Sequence, residues 1–429
     1  MNSIMQRTAA HVLRHYQAGQ MSRREVLRLL GALGLTTAGV GAIGFGAVTR
    51  STSAGSVVNG GVHAGHGSLY AALLRQDAGT PAAVAPPTLG EQPDGTHLWR
   101  VRVAGMDEEN LIDMQAFFPK EITINAGDGI LFEFPTPPGF HTVTFLSGGA
   151  VPPLFIPDES DDTSVASPPA GPPTLIINPE AAFQTGATDY DGTGYVNSGL
   201  DVVRLPGDPP FMLTFTTPGT YEYQCIPHGI AMKATVVVQE AGAARMEDQA
   251  AVDARGDEER AALLAEGKAT ITEYAEARAT ARDDGSTLWE IAAGAGEGQA
   301  RVMRFLPDTL EIKVGDAVRW VNHSKTEPHT VTFLGAGVEQ PEDIAVEPQA
   351  GGPPKIIQNP LTLFPQGGQV FNGEGYVNSG FLGELNGEPL PGGPAYELTF
   401  DTAGEYSYYC ILHASGPEGP GMAGSITVT

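Results

Sequence analysis

The sequence predicts an all-β chain: two tandem β-sandwich or barrel units with one helical segment between them. Three observations carry that expectation. Blocks recur at a near-constant offset. Asp94-Gly-Thr-His-Leu-Trp99 returns as Asp284-Gly-Ser-Thr-Leu-Trp289, and His141-Thr-Val-Thr-Phe-Leu146 as His329-Thr-Val-Thr-Phe-Leu334. Gly194-Tyr-Val-Asn-Ser-Gly199 returns as Gly375-Tyr-Val-Asn-Ser-Gly380, and Tyr221-Glu-Tyr-Gln-Cys225 as Tyr406-Ser-Tyr-Tyr-Cys410, so the offsets run 190, 188, 181 and 185. Both copies contain short alternating runs, the pattern of a half-buried strand. Glycine (55) and proline (34) punctuate those runs through 429 residues, as short strands with tight turns require.

The elements follow in order. Residues 1–50 read as an export leader: Arg23-Arg24 stand ahead of a charge-free stretch, Leu29 to Thr49, which resembles a twin-arginine signal. The alternative is an uncleaved membrane anchor, since about 20 apolar residues suffice to span a bilayer as a helix. Residues 51–93, rich in Gly, Ala and Pro, read as a flexible tether. The first copy covers 94–239. Its strands include Glu121-Ile-Thr-Ile-Asn125, Phe211-Met-Leu-Thr-Phe215 and Thr235-Val-Val-Val238. Residues 240–283 change character. From Glu247 to Arg282 they are rich in Ala, Glu and Arg without proline, and Leu264, Ile271 and Tyr274 fall near one helical face. That segment is expected to be a linker helix packed on a domain edge. The second copy covers 284–429, with strands Leu310-Glu-Ile-Lys-Val314, Tyr396-Glu-Leu-Thr-Phe400 and Ser425-Ile-Thr-Val428.

Composition removes several function classes. The formal net charge is −26, and without residues 1–50 it is −31, so the chain lacks the cations that a nucleic-acid backbone would demand. Two cysteines do not make a disulfide scaffold. An exported protein meets an oxidising compartment, where spare thiols pair or react. Cys225 and Cys410 therefore either form a disulfide or are held in another way, and equivalent positions in separate units argue against a mutual disulfide.

The rare residues show what that other way is. His141 opens a strand pattern, and Cys225-Ile-Pro-His228-Gly-Ile-Ala-Met232 ends another. In the second copy His329 opens the matching strand, and Cys410-Ile-Leu-His413 is followed by Met422 after a longer Gly/Pro-rich loop. Each copy thus offers one distant histidine and then Cys, His and Met on one loop. On these motifs both 146-residue copies resemble the cupredoxin family, the type 1 or blue copper proteins such as plastocyanin and pseudoazurin. The resemblance implies two Greek-key β-sandwich domains. It implies two type 1 coppers per chain, held by His141, Cys225, His228 and Met232 and by His329, Cys410, His413 and Met422. Soft thiolate and thioether suit Cu(I), while imidazole suits both oxidation states. Thr142 and Thr330, beside the strand histidines, are expected to fix the surrounding backbone. The chain departs from minimal members in its His-to-Cys gap, 84 and 81 residues, because of Pro/Gly-rich insertions near 150–210 and 338–392.

The implied function is electron transfer between redox partners, such as a cytochrome or an oxidase, in the periplasm or another extracytoplasmic space. The membrane is involved only through an uncleaved leader. Electrons are expected to pass through solvent-side imidazoles of His228 and His413, with Pro227, Ile230, Ile411 and Leu412 as an apolar docking patch and the negative charge steering a basic partner. Two alternatives stay open: a copper oxidoreductase resembling nitrite reductase or two-domain laccase, and a copper buffer. Against the first, Gln224 and Tyr409 stand before the cysteines where such enzymes carry histidine, and the chain has no His-x-His pair. His63 and His66 lie on the tether and could take a stray metal, while His97 and His323 are expected to be surface or core residues.

Overall fold

The computed structural model describes residues 87–136, 138–160, 174–204 and 207–429. The leader, most of the tether with His63 and His66, and part of the first insertion lie outside the described residues. No helix among the described residues is long and apolar enough to cross a membrane.

Each half is a pair of β-sheets closed over an aromatic core. In the first half one sheet runs through strands His97–Val103, Gly129–Glu133 and Met212–Phe215. The facing sheet orders Val196–Asn197, Thr144–Phe145, Gly219–Cys225, Gly229–Gln239 and Glu121–Asn125. The second half repeats this plan. Ala395–Phe400, Ala317–Ser324, Thr287–Gly296 and Ala300–Leu306 form one sheet, and Thr309–Ile312, Gly421–Val428, Gly404–Ala414, Thr332–Leu334 and Tyr376–Asn378 form the other. The inward positions of the alternating runs fill the two cores. Trp99, Phe132, Phe145 and Tyr223 pack with Cys225 and Met232 in one, and Trp320, Phe333 and Tyr408 with Cys410 and Met422 in the other. The same stacked ring pair recurs, Phe145 on Tyr223 at 5.0 Å and Phe333 on Tyr408 at 5.1 Å.

The halves are joined by backbone pairing. Strand Ile112–Met114 of the first half adds to the second half's sheet, antiparallel to Ala300–Leu306, with Asp113 opposite Arg301. The insertions build a further sheet across the junction, in which Leu175–Ile177 pairs Lys355–Gln358 with Ile176 opposite Ile357. The shared Gly-Tyr-Val-Asn-Ser-Gly block clamps the strand that follows each distant histidine. Val143 N–H donates to Ser198 Oγ at 2.8 Å and Thr144 Oγ1 to Asn197 Oδ1 at 2.9 Å. Val331 and Thr332 make the same bonds to Ser379 and Asn378.

The linker is helical over Gln249–Glu273, capped by Asp248, whose Oδ1 accepts the Ala251 N–H at 2.9 Å. Leu264, Ile271 and Tyr274 do share a face, packed on Ile112, Met114, Ala292 and Val302 from both halves. Buried Gly267 lets the helix approach that closely, because a Cβ there would lie 2.6 Å from Ile112. Arg100 and Arg102 reach the same helix at Asp253 and Asp257. The expected helical run to Arg282 is corrected: Arg278–Ala281 is a strand, turned back by Asp284-Gly285 to pair Thr287–Glu290. Gly285 at φ +88° supplies the left-handed residue that this tight hairpin needs. His97 stacks on Trp99 at 4.3 Å and His323 on Tyr274 at 4.7 Å, so both pack against aromatic rings.

Candidate metal centres

The fold brings together, in each half, residues that are far apart in the chain. His141, Cys225 and His228 are buried with their ligand atoms all within 4.8 Å of one another, and so are those of His329, Cys410 and His413. Cys225 Sγ lies 3.3 Å from His228 Nδ1. Cys410 Sγ lies 3.4 Å from His413 Nδ1 and 4.0 Å from His329 Nδ1. Met232 and Met422 are buried in the same apolar clusters as the two cysteines.

Each sulfur accepts a backbone N–H, from Thr142 at 3.4 Å and from Thr330 at 3.2 Å. The two threonines also act through their hydroxyls, which accept the N–H of Ile226 and of Ile411 at 2.8 Å. They therefore tie the distant-histidine strand to the Cys-His loop. In the first half the Asp201 carboxylate accepts the N–H of Gly139 at 2.7 Å and of His141 at 2.9 Å, which fixes the approach to the strand. In the second half the backbone of Leu382 pairs with His329 instead.

Gly294 makes the second site possible. It sits at φ +80°, and a Cβ there would lie 2.0 Å from His329 Nε2. Gly294→Ala is expected to cost about 1–3 kcal/mol from the backbone alone and to displace the His329 ring. Copper content and urea unfolding of that variant check this, and an intact second site would contradict it.

Sequence reasoning missed the residues that join the two clusters. Glu327 is 4% exposed and lies between them. Its Oε1 is 2.9 Å from His413 Nε2 and its Oε2 is 3.4 Å from His228 Nε2, while Gln115 Nε2 donates to Oε2 at 2.6 Å. Asp113 Oδ1 is 3.9 Å from His141 Nε2. Arg301, 1% exposed, donates to Thr326 Oγ1 at 3.0 Å and to the Gly296 carbonyl. A signal was present. His329 and His141 are 188 residues apart, and so are Glu327 and Gly139, so an acid stands in one copy where the other has glycine.

The expected solvent-side imidazoles are corrected as well. His228 and His413 are 4% and 5% exposed, Ile411 and Leu412 are buried, and only Ile230 of the expected patch is well exposed, at 80%. The apolar surface around the Cys-His loops is covered by the other half. Phe140, Ile226 and Val202 pack with Ile344, Ile356 and Leu385.

Burial and charge oppose each other here. Burial pulls the His228 and His413 imidazoles down, but the neighbouring thiolates and then Glu327 outweigh it and push both up to about 10. Burial pushes the Cys410 thiol up, yet His413 and His329 bring it down to about 5. Burial also raises Glu327, and the bonds from His228 and His413 hold it well below the usual carboxylate range. In the metal-free protein, stability from two raised imidazoles is present below pH 6.5 and lost as pH rises through about 10. The depressed Cys410 thiol works in the opposite sense up to its ordinary value of 9.0 and cancels one of the two. A net fall in the unfolding midpoint toward pH 10 is expected. Copper loading, which occupies those donors, should remove it.

The family model for copper binding proteins of the plastocyanin/azurin family matches residues 193–239, the window that carries Cys225, His228 and Met232. Plastocyanin of Scenedesmus fuscus is 29% identical over 138 residues, 32% of this chain and 96% of that protein. Over these residues the chain is similar to cupredoxins. The chain is also 32% identical over 123 residues to chloroplastic plastocyanin of Physcomitrium patens, covering 28% of this chain and about half (49%) of that relative. Among solved structures it is similar to a copper(I) amicyanin variant, with 21% identity, 35% of this chain and 91% of that chain covered, and a TM-score of 0.19.

The donor set fits copper. A cysteine sulfur, two imidazoles and a thioether in an apolar pocket match the soft and borderline preferences of Cu(I) and Cu(II), and each sulfur accepts one backbone N–H.

Proposed function

We propose that this cupredoxin is an exported electron carrier with one type 1 copper in each half. His141, Cys225, His228 and Met232 would hold the first, and His329, Cys410, His413 and Met422 the second. The observation that carries the reading is the duplicate: two buried His-Cys-His clusters, each with its sulfur bonded to the strand threonine beside the distant histidine. Copper, when bound, supplies a one-electron couple. The residues supply rigidity. The distant histidine is fixed on a sandwich strand, the other donors come from one loop, and the threonine hydroxyls lock loop to strand. Donors that need not move let the oxidation state change with little rearrangement.

Redox partners are proteins that meet a surface other than the covered Cys-His face, and the net charge of −26 favours basic ones. The test is copper per chain on the loaded protein, with visible absorption and electron paramagnetic resonance on the same sample. Two coppers with strong thiolate colour and narrow hyperfine splitting are expected. An additional copper with type 2 character would favour the oxidoreductase reading, and colourless, reversibly released copper the buffering one.

A further inference from the structure

We propose that Glu327 couples the two candidate copper sites, joining one imidazole from each across the junction so that the sites behave as a pair. This rests on the two-copper reading above. In each Cys-His loop Nδ1 is the atom beside the sulfur, so Nε2 points away from it and toward the other half. Both Nε2 atoms arrive at one carboxylate, His413 at 2.9 Å on Oε1 and His228 at 3.4 Å on Oε2. With Nδ1 committed to a metal, each imidazole carries its proton on Nε2 and donates it to Glu327.

The carboxylate cannot turn away. Gln115 of the first half donates to Oε2 at 2.6 Å, and Gln115 is itself held by Thr326 Oγ1 at 2.7 Å. Below it, the Glu327 N–H bonds Ser324 Oγ at 3.2 Å and its carbonyl accepts Asn322 Nδ2 at 2.9 Å. Three donors, drawn from both halves, thus converge on the carboxylate. The result is a continuous polar path, imidazole to carboxylate to imidazole, in a buried junction. An electron passing between the sites oxidises one and reduces the other, and no proton need leave the path. The covered loops, which would otherwise be blocked as exits, become an internal contact.

The experiment uses the full chain carrying Glu327→Gln or Glu327→Ala. Each is placed with Cys410→Ser or with Cys225→Ser, so that one site is read at a time. Copper affinity by chelator competition and the hyperfine splitting are compared with the same chain carrying Glu327. Loss of a group that orients a ligand lowers metal affinity by about 10–100-fold, and the proposal expects such a loss, with a spectral shift, at both sites from this one residue. In the two-copper chain, electron redistribution after a reducing pulse should slow. An effect at the His413 site alone, or at neither, overturns the proposal. So does a further metal ion, bound beyond two per chain and lost in Glu327→Gln, which would make Asp113, His228 and Glu327 ligands instead. If the parent chains bind no copper, it is the two-copper reading that fails. Glu327→Gln keeps the side-chain volume and decides the matter if Glu327→Ala does not fold.

Discussion

Cys225→Ser is expected to remove one copper and its blue absorption while the second site stays loaded, and Cys410→Ser to do the converse. Serine matches cysteine in shape but not in chemistry. Its hydroxyl stays protonated near neutral pH and is a hard donor, whereas the thiolate is soft and is the source of the visible band. Both sulfurs are 0% exposed and each accepts one backbone N–H, so the surrounding bonds can persist around an oxygen. The change is therefore local, and the remaining colour should come from one site only. Metal binding is linked to folding, so copper should also raise the unfolding midpoint of each single variant by less than that of the parent. Loss of both coppers from a single substitution would show that the sites cannot load separately.

Arg301→Met is expected to destabilise the protein by about 3–5 kcal/mol, the range for removing one partner from a buried charge cluster. Arg301 lies in the junction strand opposite Asp113, with Gln115, Thr326 and the Gly296 carbonyl around its guanidinium. Burial pulls it down, and Glu327 and Asp113 are the charges that support it. Without it, the attraction between the guanidinium and two buried carboxylates is lost. Asp113, already raised to about 7 by burial, would stay protonated over a wider range. Arg301→Lys should recover only part of the loss, because an ammonium cannot serve the same forked set of acceptors. Equilibrium urea unfolding of the metal-free chain measures both variants. An unchanged midpoint in Arg301→Met would mean that the carboxylates are neutral in the native state.

The candidate copper ligands were legible in the sequence because they are scarce residue types at spacings that repeat. One His-Cys-His-Met set is weak evidence, but the same set in two aligned copies is hard to produce otherwise. The strands were legible for a similar reason: alternation at Glu121–Asn125 or Ala395–Phe400 is local information. The junction was not. Asp113, Gln115, Arg301 and Glu327 are common residue types that are not repeated at the matching places of the other copy, and they become neighbours only when Ile112–Met114 crosses to the second half's sheet. The packing of the halves on each other also buries the imidazoles of His228 and His413, which the reading of each copy alone had left facing solvent. Similarly, nothing in Arg278–Ala281 announces a strand until Thr287–Glu290 is beside it.

The pairing of Asp113 with Arg301 also bears on how such a molecule can be made. The two residues are 188 positions apart, the spacing of His141 and His329, so they occupy matching places in the two halves. A dimer of identical chains related by a twofold axis would bring that position against its own copy, carboxylate to carboxylate or guanidinium to guanidinium. Opposite charges at a self-facing position require two halves that differ, and one chain that carries both lets them diverge. The linkage that joins the halves thereby permits an asymmetry at the axis that no symmetric assembly could hold, and the single bridging acid at Glu327, where the first half has Gly139, is a second instance of it.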